Sequence, residues 1–182
     1  MTEWRFGDKA LDYAVSDYIP PAVQMGFWPR INLAARHIRQ ARFPDGEWME
    51  IGCNGGHLLA TVGKPCWGYD IAAAPLEVAR ASGLDARYAD ITSDEMELAP
   101  VVAICEVLEH LEDPHGLLAR ICRDPVHTVI ASGPVLETDE DHYEQHLWAW
   151  DEEGFAALFE GAGFTVTTQE SEGIFQVLVA VR

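Results

Sequence analysis

Short runs rich in β-branched and aromatic residues alternate with helical patterns along most of this chain, and that alternation limits the fold more than any single motif. Strands are predicted at 47–51, 66–70, 85–88, 100–105, 127–132, 164–168 and 175–181, with helices at 55–62, 74–82 and 114–122 between the earlier ones. Parallel neighbours need crossover helices, so the pattern predicts a mostly parallel α/β sheet covered on both faces. The last two strands, "FTVTTQ" and "FQVLVAV", are joined by "ESEGI", which suits an antiparallel return. Asp113-Pro114 gives an N-cap and first-turn proline. Asp151 caps a later helix carrying Phe155, Leu158, Phe159 and Ala162 on one face, ended by Gly161 and Gly163. With 182 residues the chain is one domain with a substantial core. Within it, residues 1–43 are expected as an N-terminal helical lid segment and residues 44–182 as the ligand-binding core. The lid segment reads as a short helix, a break at Pro20-Pro21, an aromatic loop and a helix from about Ile31. Arg36, Arg39 and Arg42 make the polar side of that helix basic, a pattern usual for a solvated face.

The first strand of the core runs into "EIGCNGG", residues 50–56. Glycine adds no packing there; its use is a turn whose backbone approaches something closely. Ligands of parallel sheets sit at the carboxyl ends of the strands, which is where this turn falls. Asp70 closes the second strand twenty residues after Glu50, placed to accept hydrogen bonds from a ribose diol, or else to cap the helix that follows. Twenty residues further, Asp90 and the Ile91 backbone are placed to read an adenine edge; the plainer reading of Asp90 is an acid in a surface turn. "VVAICEVLEHLEDP" then carries a buried strand into Glu106, with His110 beyond.

These motifs, in this order and spacing, resemble the class I S-adenosylmethionine-dependent methyltransferases, small-molecule type, over about residues 45–182. "EIGCNGG" stands for the first family motif, with Glu50, Gly52 and Gly56 in register and Asn54 where a glycine is common. Asp70 matches the second motif, Asp90-Ile91 the third, "CEVLEHLEDP" the fourth and "TVIASGPV" the fifth strand. The resemblance implies a Rossmann-like sheet of seven strands in order 3-2-1-4-5-7-6, with strand 7 antiparallel. It implies S-adenosylmethionine as cofactor, held by Glu50, Gly52, Cys53, Asn54, Gly56, Asp70, Ile71, Asp90, Ile91 and Glu106. The expected activity is methyl transfer to an O, N or C atom of a small molecule by in-line displacement. A nicotinamide-dependent oxidoreductase on a related fold is the competing enzyme; the acid at Asp90 and the "EVLEHLEDP" segment count against it. A non-catalytic cofactor-binding subunit is the other alternative.

A hydroxyl acceptor usually needs a base. The stretch 133–150, "GPVLETDEDHYEQHLWAW", offers His142 and His146, which share a face if the segment is helical. They are the expected catalytic residues. His110 is read as structural and His57 as near the cofactor, while Trp4, Tyr13, Tyr18, Phe27 and Trp28 either line a lid or pack. No metal site is expected, because further ligands are not evident. Cys53, Cys66, Cys105 and Cys122 form no CxxC pair and read as reduced core thiols. Residues 46–182 hold 25 Asp/Glu against six Lys/Arg, which repels a phosphate backbone, so nucleic acid is excluded as a partner. No apolar run reaches membrane-spanning length, and the start lacks the apolar core of a signal peptide. A cytoplasmic monomer or homodimer acting on a small molecule is expected.

Overall fold

The computed structural model describes residues 2–6, 28–41, 47–63, 65–123, 125–138 and 140–182. The predicted first helix, the Pro20-Pro21 break, Tyr13, Tyr18, Phe27, Arg42 and Asp139 lie outside the described residues.

The chain runs β1 (Glu3–Arg5), α1 (Trp28–Gln40), β2 (Trp48–Ile51), α2 (His57–Val62), β3 (Cys66–Asp70), α3 (Ala73–Ala81), β4 (Ala86–Tyr88) and β5 (Val101–Cys105), then a 3-10 turn at Leu108–His110. It continues through α4 (Pro114–Ile121), β6 (Thr128–Pro134), β7 (Trp148–Trp150), α5 (Glu152–Gly161), β8 (Thr165–Glu172) and β9 (Phe175–Val181). Seven strands form the main sheet in the order β4-β3-β2-β5-β6-β9-β8. Counted along these seven alone, that is 3-2-1-4-5-7-6, the expected order. β9 runs antiparallel to both β6 and β8, and the other pairs are parallel.

The central strands are apolar on both sides because both faces are covered. In β5, Val102 and Ile104 join the layer holding Leu118, Ile121, Phe155 and Phe159 of α4 and α5. Val101 and Ala103 face the opposite layer, with Ile31, Ala34 and Ile38 of α1 and Leu58, Leu59 and Leu76 of α2 and α3. α1 is therefore a packed layer of the core. It starts at Trp28, three residues before the expected start, and its buried stripe Ile31, Leu33, Ala34, Ala35 and Ile38 fits a helical period. Its basic side is tied down: Arg36 donates to both oxygens of Glu170 at 2.7 and 2.6 Å, and Arg39 donates to the Thr61 carbonyl. The helix caps read from sequence are present, with Asp113 Oδ1 accepting from Gly116 N at 2.8 Å and Asp151 Oδ1 from Gly154 N at 2.6 Å.

A second, two-stranded sheet joins β1 to β7, pairing Glu3 with Trp150 and Arg5 with Trp148. Sequence patterning did not reveal it, and residues 3–5 are strand where a helical segment was expected. Glu3 Oε2 accepts from Trp150 Nε1 at 2.7 Å, and Phe6 N donates to the Leu147 carbonyl at 2.9 Å. This ladder ties the N-terminal strand to the end of the loop over 135–147.

Candidate active site

At the carboxyl ends of β2 to β6 the structure opens into a cleft of about 1630 Å³. Its size exceeds the roughly 300–1,000 Å³ of a single small-molecule pocket, so it has room for a cofactor and an acceptor together.

One half is built by the glycine turn. Gly52 takes φ +76° and Asn54 φ +45°, a left-handed backbone that glycine and asparagine tolerate best. A Cβ on Gly52 would meet Val107 Cγ2 at 2.3 Å. The turn is fixed from β3: Gly52 N and Cys53 N both donate to the Tyr69 carbonyl, at 2.8 and 3.0 Å. Asp70 braces the same turn, with Oδ2 accepting from Asn54 N at 2.7 Å and Oδ1 from Ala72 N at 2.8 Å. Ala72, not Asp70, is the N-cap of α3, which sets the helix-cap reading of Asp70 aside. Each carboxylate oxygen keeps a second lone pair for a ligand hydroxyl. Burial raises the Asp70 pKa, and the backbone donors of Ala72, Asn54 and Ile71 oppose that rise.

Beneath the turn, Glu50 is buried on β2 and its Oε2 has no hydrogen-bond partner among the described residues. Burial pushes its pKa up to about 8; Arg30 opposes the shift and Asp70 adds to it. A carboxyl buried in that state fits a site completed by a cationic group. Glu106 closes β5 with φ +55°, uncommon for a residue with a side chain. Its Oε1 accepts from Ser132 Oγ at 2.9 Å and lies 3.6 Å from Arg30 Nη1. Asp90 and Ile91 also line the cleft. Asp90 Oδ1 is engaged by Thr92 N and Thr92 Oγ1 at 2.9 and 2.6 Å, a local turn that coexists with its place at the cleft edge.

Of the ten residues expected to hold the cofactor, nine line this cleft. Gly56 does not. It sits at φ +78°, where a Cβ would meet Leu84 Cδ1 at 2.4 Å, so α2 packs closely on the Leu84 turn at this position. Cys53 is buried against Gly68, and its thiol pKa is raised by burial. All four cysteines are free thiols. His57 lines the cleft edge-on to Trp28, while Trp4 and Trp28 stand outside the cleft lining.

The other half of the cleft is formed by 135–147 and the 3-10 turn. The loop is not helical, so His142 and His146 do not share a helix face. Both reach the cleft by other routes. His142 stacks on Phe6 with ring centroids 3.6 Å apart and points Nδ1 at the Thr138 carbonyl. His146 lies deeper: its Nδ1 is 2.6 Å from Glu137 Oε2, and its ring meets His110 edge-on at 4.7 Å. Glu137 organises the loop, since its Oε1 also accepts from Tyr143 N at 3.1 Å. His110 Nδ1 is 3.2 Å from the Gln145 carbonyl, and burial pushes its pKa down to about 4, aided by His146. Glu109 is fully buried beside them and has no hydrogen-bond partner on either oxygen among the described residues. Burial, then the neighbouring Glu106, raises its pKa well above the ordinary carboxyl value. Sequence reasoning missed Glu109 and the pairing of Glu137 with His146. The signal available was a polar pair, Glu109-His110, inside the apolar run "VLEHL".

The fold, the strand order and an acid-rich cleft at the carboxyl strand ends define a class I methyltransferase architecture. A family model described as a methyltransferase domain matches residues 29–169, a match that takes in α1. The chain belongs to that family, whose class I members take S-adenosylmethionine as methyl donor. Among curated relatives it is 32% identical over 96 residues to the ubiquinone biosynthesis O-methyltransferase of Hahella chejuensis, covering 46% of this chain and 40% of that protein. It is 36% identical over 86 residues to the protein of the same name from Pseudomonas savastanoi pv. phaseolicola, covering 41% and 37%. The chain thus spans about two fifths of the length of the curated relatives it matches. Similar solved folds include magnesium protoporphyrin IX methyltransferase of Synechocystis with bound S-adenosylhomocysteine, at TM-score 0.71 and 16% identity over 97% of this chain and 90% of that one. Another is the methyltransferase of Haloferax volcanii solved with the Trm112 activator, at TM-score 0.71 and 18% identity over 88% and 92%. Among the described residues no helix is long and apolar enough to cross a membrane.

Proposed function

We propose that this chain transfers a methyl group from S-adenosylmethionine to a hydroxyl of a small molecule. The observation that carries the reading is one cleft holding Asp70, Glu50 and the glycine turn on one side and the Glu137–His146 pair on the other. The names of the curated relatives support oxygen as the acceptor. Bound in the first half, S-adenosylmethionine supplies an electrophilic methyl on a sulfonium. The acceptor oxygen displaces sulfur in line: the O–C bond forms as the C–S bond breaks, and the bonding pair stays on sulfur. Alignment of the three atoms and exclusion of water are the main demands. His146 Nε2 accepts the hydroxyl proton, and Glu137 fixes the ring orientation through Nδ1. Leu136, Tyr143 and Ile174 are largely exposed apolar side chains at the mouth, which suits an acceptor with an apolar body. His142, stacked on Phe6, contributes to the shape of the mouth.

The test is methyl transfer from labelled S-adenosylmethionine across a panel of hydroxylated small molecules. On an acceptor so found, His146→Ala is expected to lower kcat by about 10²-fold or more, the scale of lost acid–base assistance. Glu137→Gln should lower it by roughly tenfold, as orienting partners do. S-adenosylhomocysteine affinity should stay unchanged in both. Full turnover in His146→Ala would remove that histidine from the chemistry.

A further inference from the structure

The turn that follows β4 is tied closely within itself. Asp90 N donates to Asp94 Oδ2 at 2.8 Å, and Asp94 N donates to the Asp90 carbonyl at 2.8 Å. Thr92 N and Thr92 Oγ1 both donate to Asp90 Oδ1. Hydrogen bonds from Thr92 hold the Asp90 carboxyl below the usual carboxylate range, and Arg120 adds to the effect. Ile91 N makes no backbone hydrogen bond among the described residues. Asp90, Ile91 and Arg120 all line the cleft. An ionised acceptor beside a backbone donor matches one edge of adenine, where the N6 amino group donates and N1 accepts. Arg120 comes to this turn from the last turn of α4. A cation there suits the helix C-terminus, but its guanidinium is directed across the cleft edge, where Nη2 donates to the Ile91 carbonyl. That carbonyl and the Thr92 N–H belong to one peptide plane. The plane is therefore gripped at both ends, by Arg120 on its oxygen and by Asp90 Oδ1 on its N–H. A charged donor on the oxygen also polarises the N–H and strengthens its bond to the carboxylate.

We propose that Arg120 is a positioning residue for adenine selection, which acts through the Ile91–Thr92 peptide to hold the Asp90 carboxylate and the Ile91 N–H in register with the base. The inference deepens the methyl-transfer reading and rests on it, since the base belongs to S-adenosylmethionine. Arg120 reaches the base through the turn and takes no part in the transfer step. The planar fork of arginine fixes direction as well as charge, and lysine matches it in charge alone.

The experiment is calorimetric titration of the chain with S-adenosylhomocysteine and with S-inosylhomocysteine. The inosyl ligand carries a 6-oxo group and a proton on N1, so both hydrogen bonds meet the wrong partner. Wild type is expected to prefer the adenosyl ligand by at least about 10²-fold. Arg120→Met should narrow that preference by about tenfold, through weaker adenosyl binding, and Arg120→Lys by about threefold. In an Asp90→Asn background Arg120→Met should cost much less adenosyl affinity than in wild type, whereas in an Asp70→Ala background its cost should be the same. An unchanged preference in both Arg120 variants overturns the role. Equal weakening of the two ligands, or full additivity with Asp90→Asn, also overturns it, since either is what a merely structural arginine would give. Failure of wild type to bind S-adenosylhomocysteine overturns the methyltransferase reading itself, and this inference with it. Should Arg120→Met fail to fold, by circular dichroism, Arg120→Lys decides by the same ratio.

Discussion

Two acids with opposite demands share the cofactor half of the cleft. Asp70 is held by the N–H groups of Asn54 and Ala72, so it remains an acceptor while partly buried. Glu50 receives no such help at Oε2, and its pKa of about 8 sits above the 4.5 of an unperturbed glutamate. Between those two values the folded state binds more protons than the unfolded one. Stability contributed by Glu50 is therefore intact below about pH 4.5 and falls as pH rises toward 8. Glu50→Gln should remove that slope and stabilise the ligand-free protein near pH 7 by roughly 1–3 kcal/mol, the usual cost of an unsatisfied buried polar group. The same change should weaken S-adenosylmethionine binding, because an amide cannot ionise to meet the cationic end of the ligand. Urea midpoints from pH 5 to 8 check the first effect; identical pH slopes in the two proteins would contradict it.

At the scale of elements, the seven core strands were legible because strands buried on both faces read as apolar runs bounded by turn residues. The acids at their carboxyl ends fell in register with the family pattern, which made Asp70 and Asp90 visible. The β1–β7 ladder was not legible: three residues a side, nearly 150 positions apart, carry no periodic signal. For the same reason His146 read as a partner of His142 on a helix, whereas a loop organised by Glu137 instead brings it to His110. Gly56 is a motif residue in a closely packed place. Its backbone is left-handed, and Leu84 Cδ1 stands 2.4 Å from where a Cβ would project, which leaves little room for a side chain. Gly56→Ala should destabilise the chain by about 1–3 kcal/mol, with S-adenosylhomocysteine affinity changed much less than by Asp70→Ala. An unshifted urea midpoint would show that α2 and the Leu84 turn absorb the methyl without strain.

The whole molecule carries a net charge of −18, and part of that charge faces the cleft. Glu112, Asp113, Glu137 and Asp141 line it, while Glu140 and Glu144 are exposed outside its lining. The arginines at the cleft are committed to the protein: Arg30 faces Glu106 and Arg120 donates to the Ile91 carbonyl. We expect the field at the mouth to favour neutral or cationic acceptors over polyanions. Glu112→Gln with Asp141→Asn should raise kcat/KM for an anionic acceptor several-fold at low ionic strength, an advantage that disappears in high salt as the Debye length shrinks to about 3 Å at 1 M. Equal efficiencies at every ionic strength would make these acids a solvated rim without influence on selection. The central claim, that this cleft is an S-adenosylmethionine site read by Asp70, is tested most directly by calorimetric titration of wild type and Asp70→Ala with S-adenosylhomocysteine, with NAD as the control ligand. One site per chain is predicted in wild type, with affinity lost by about 1.5–3 kcal/mol in Asp70→Ala and no binding of NAD. Binding of NAD in place of S-adenosylhomocysteine, or equal affinity in a folded Asp70→Ala variant, would contradict the account.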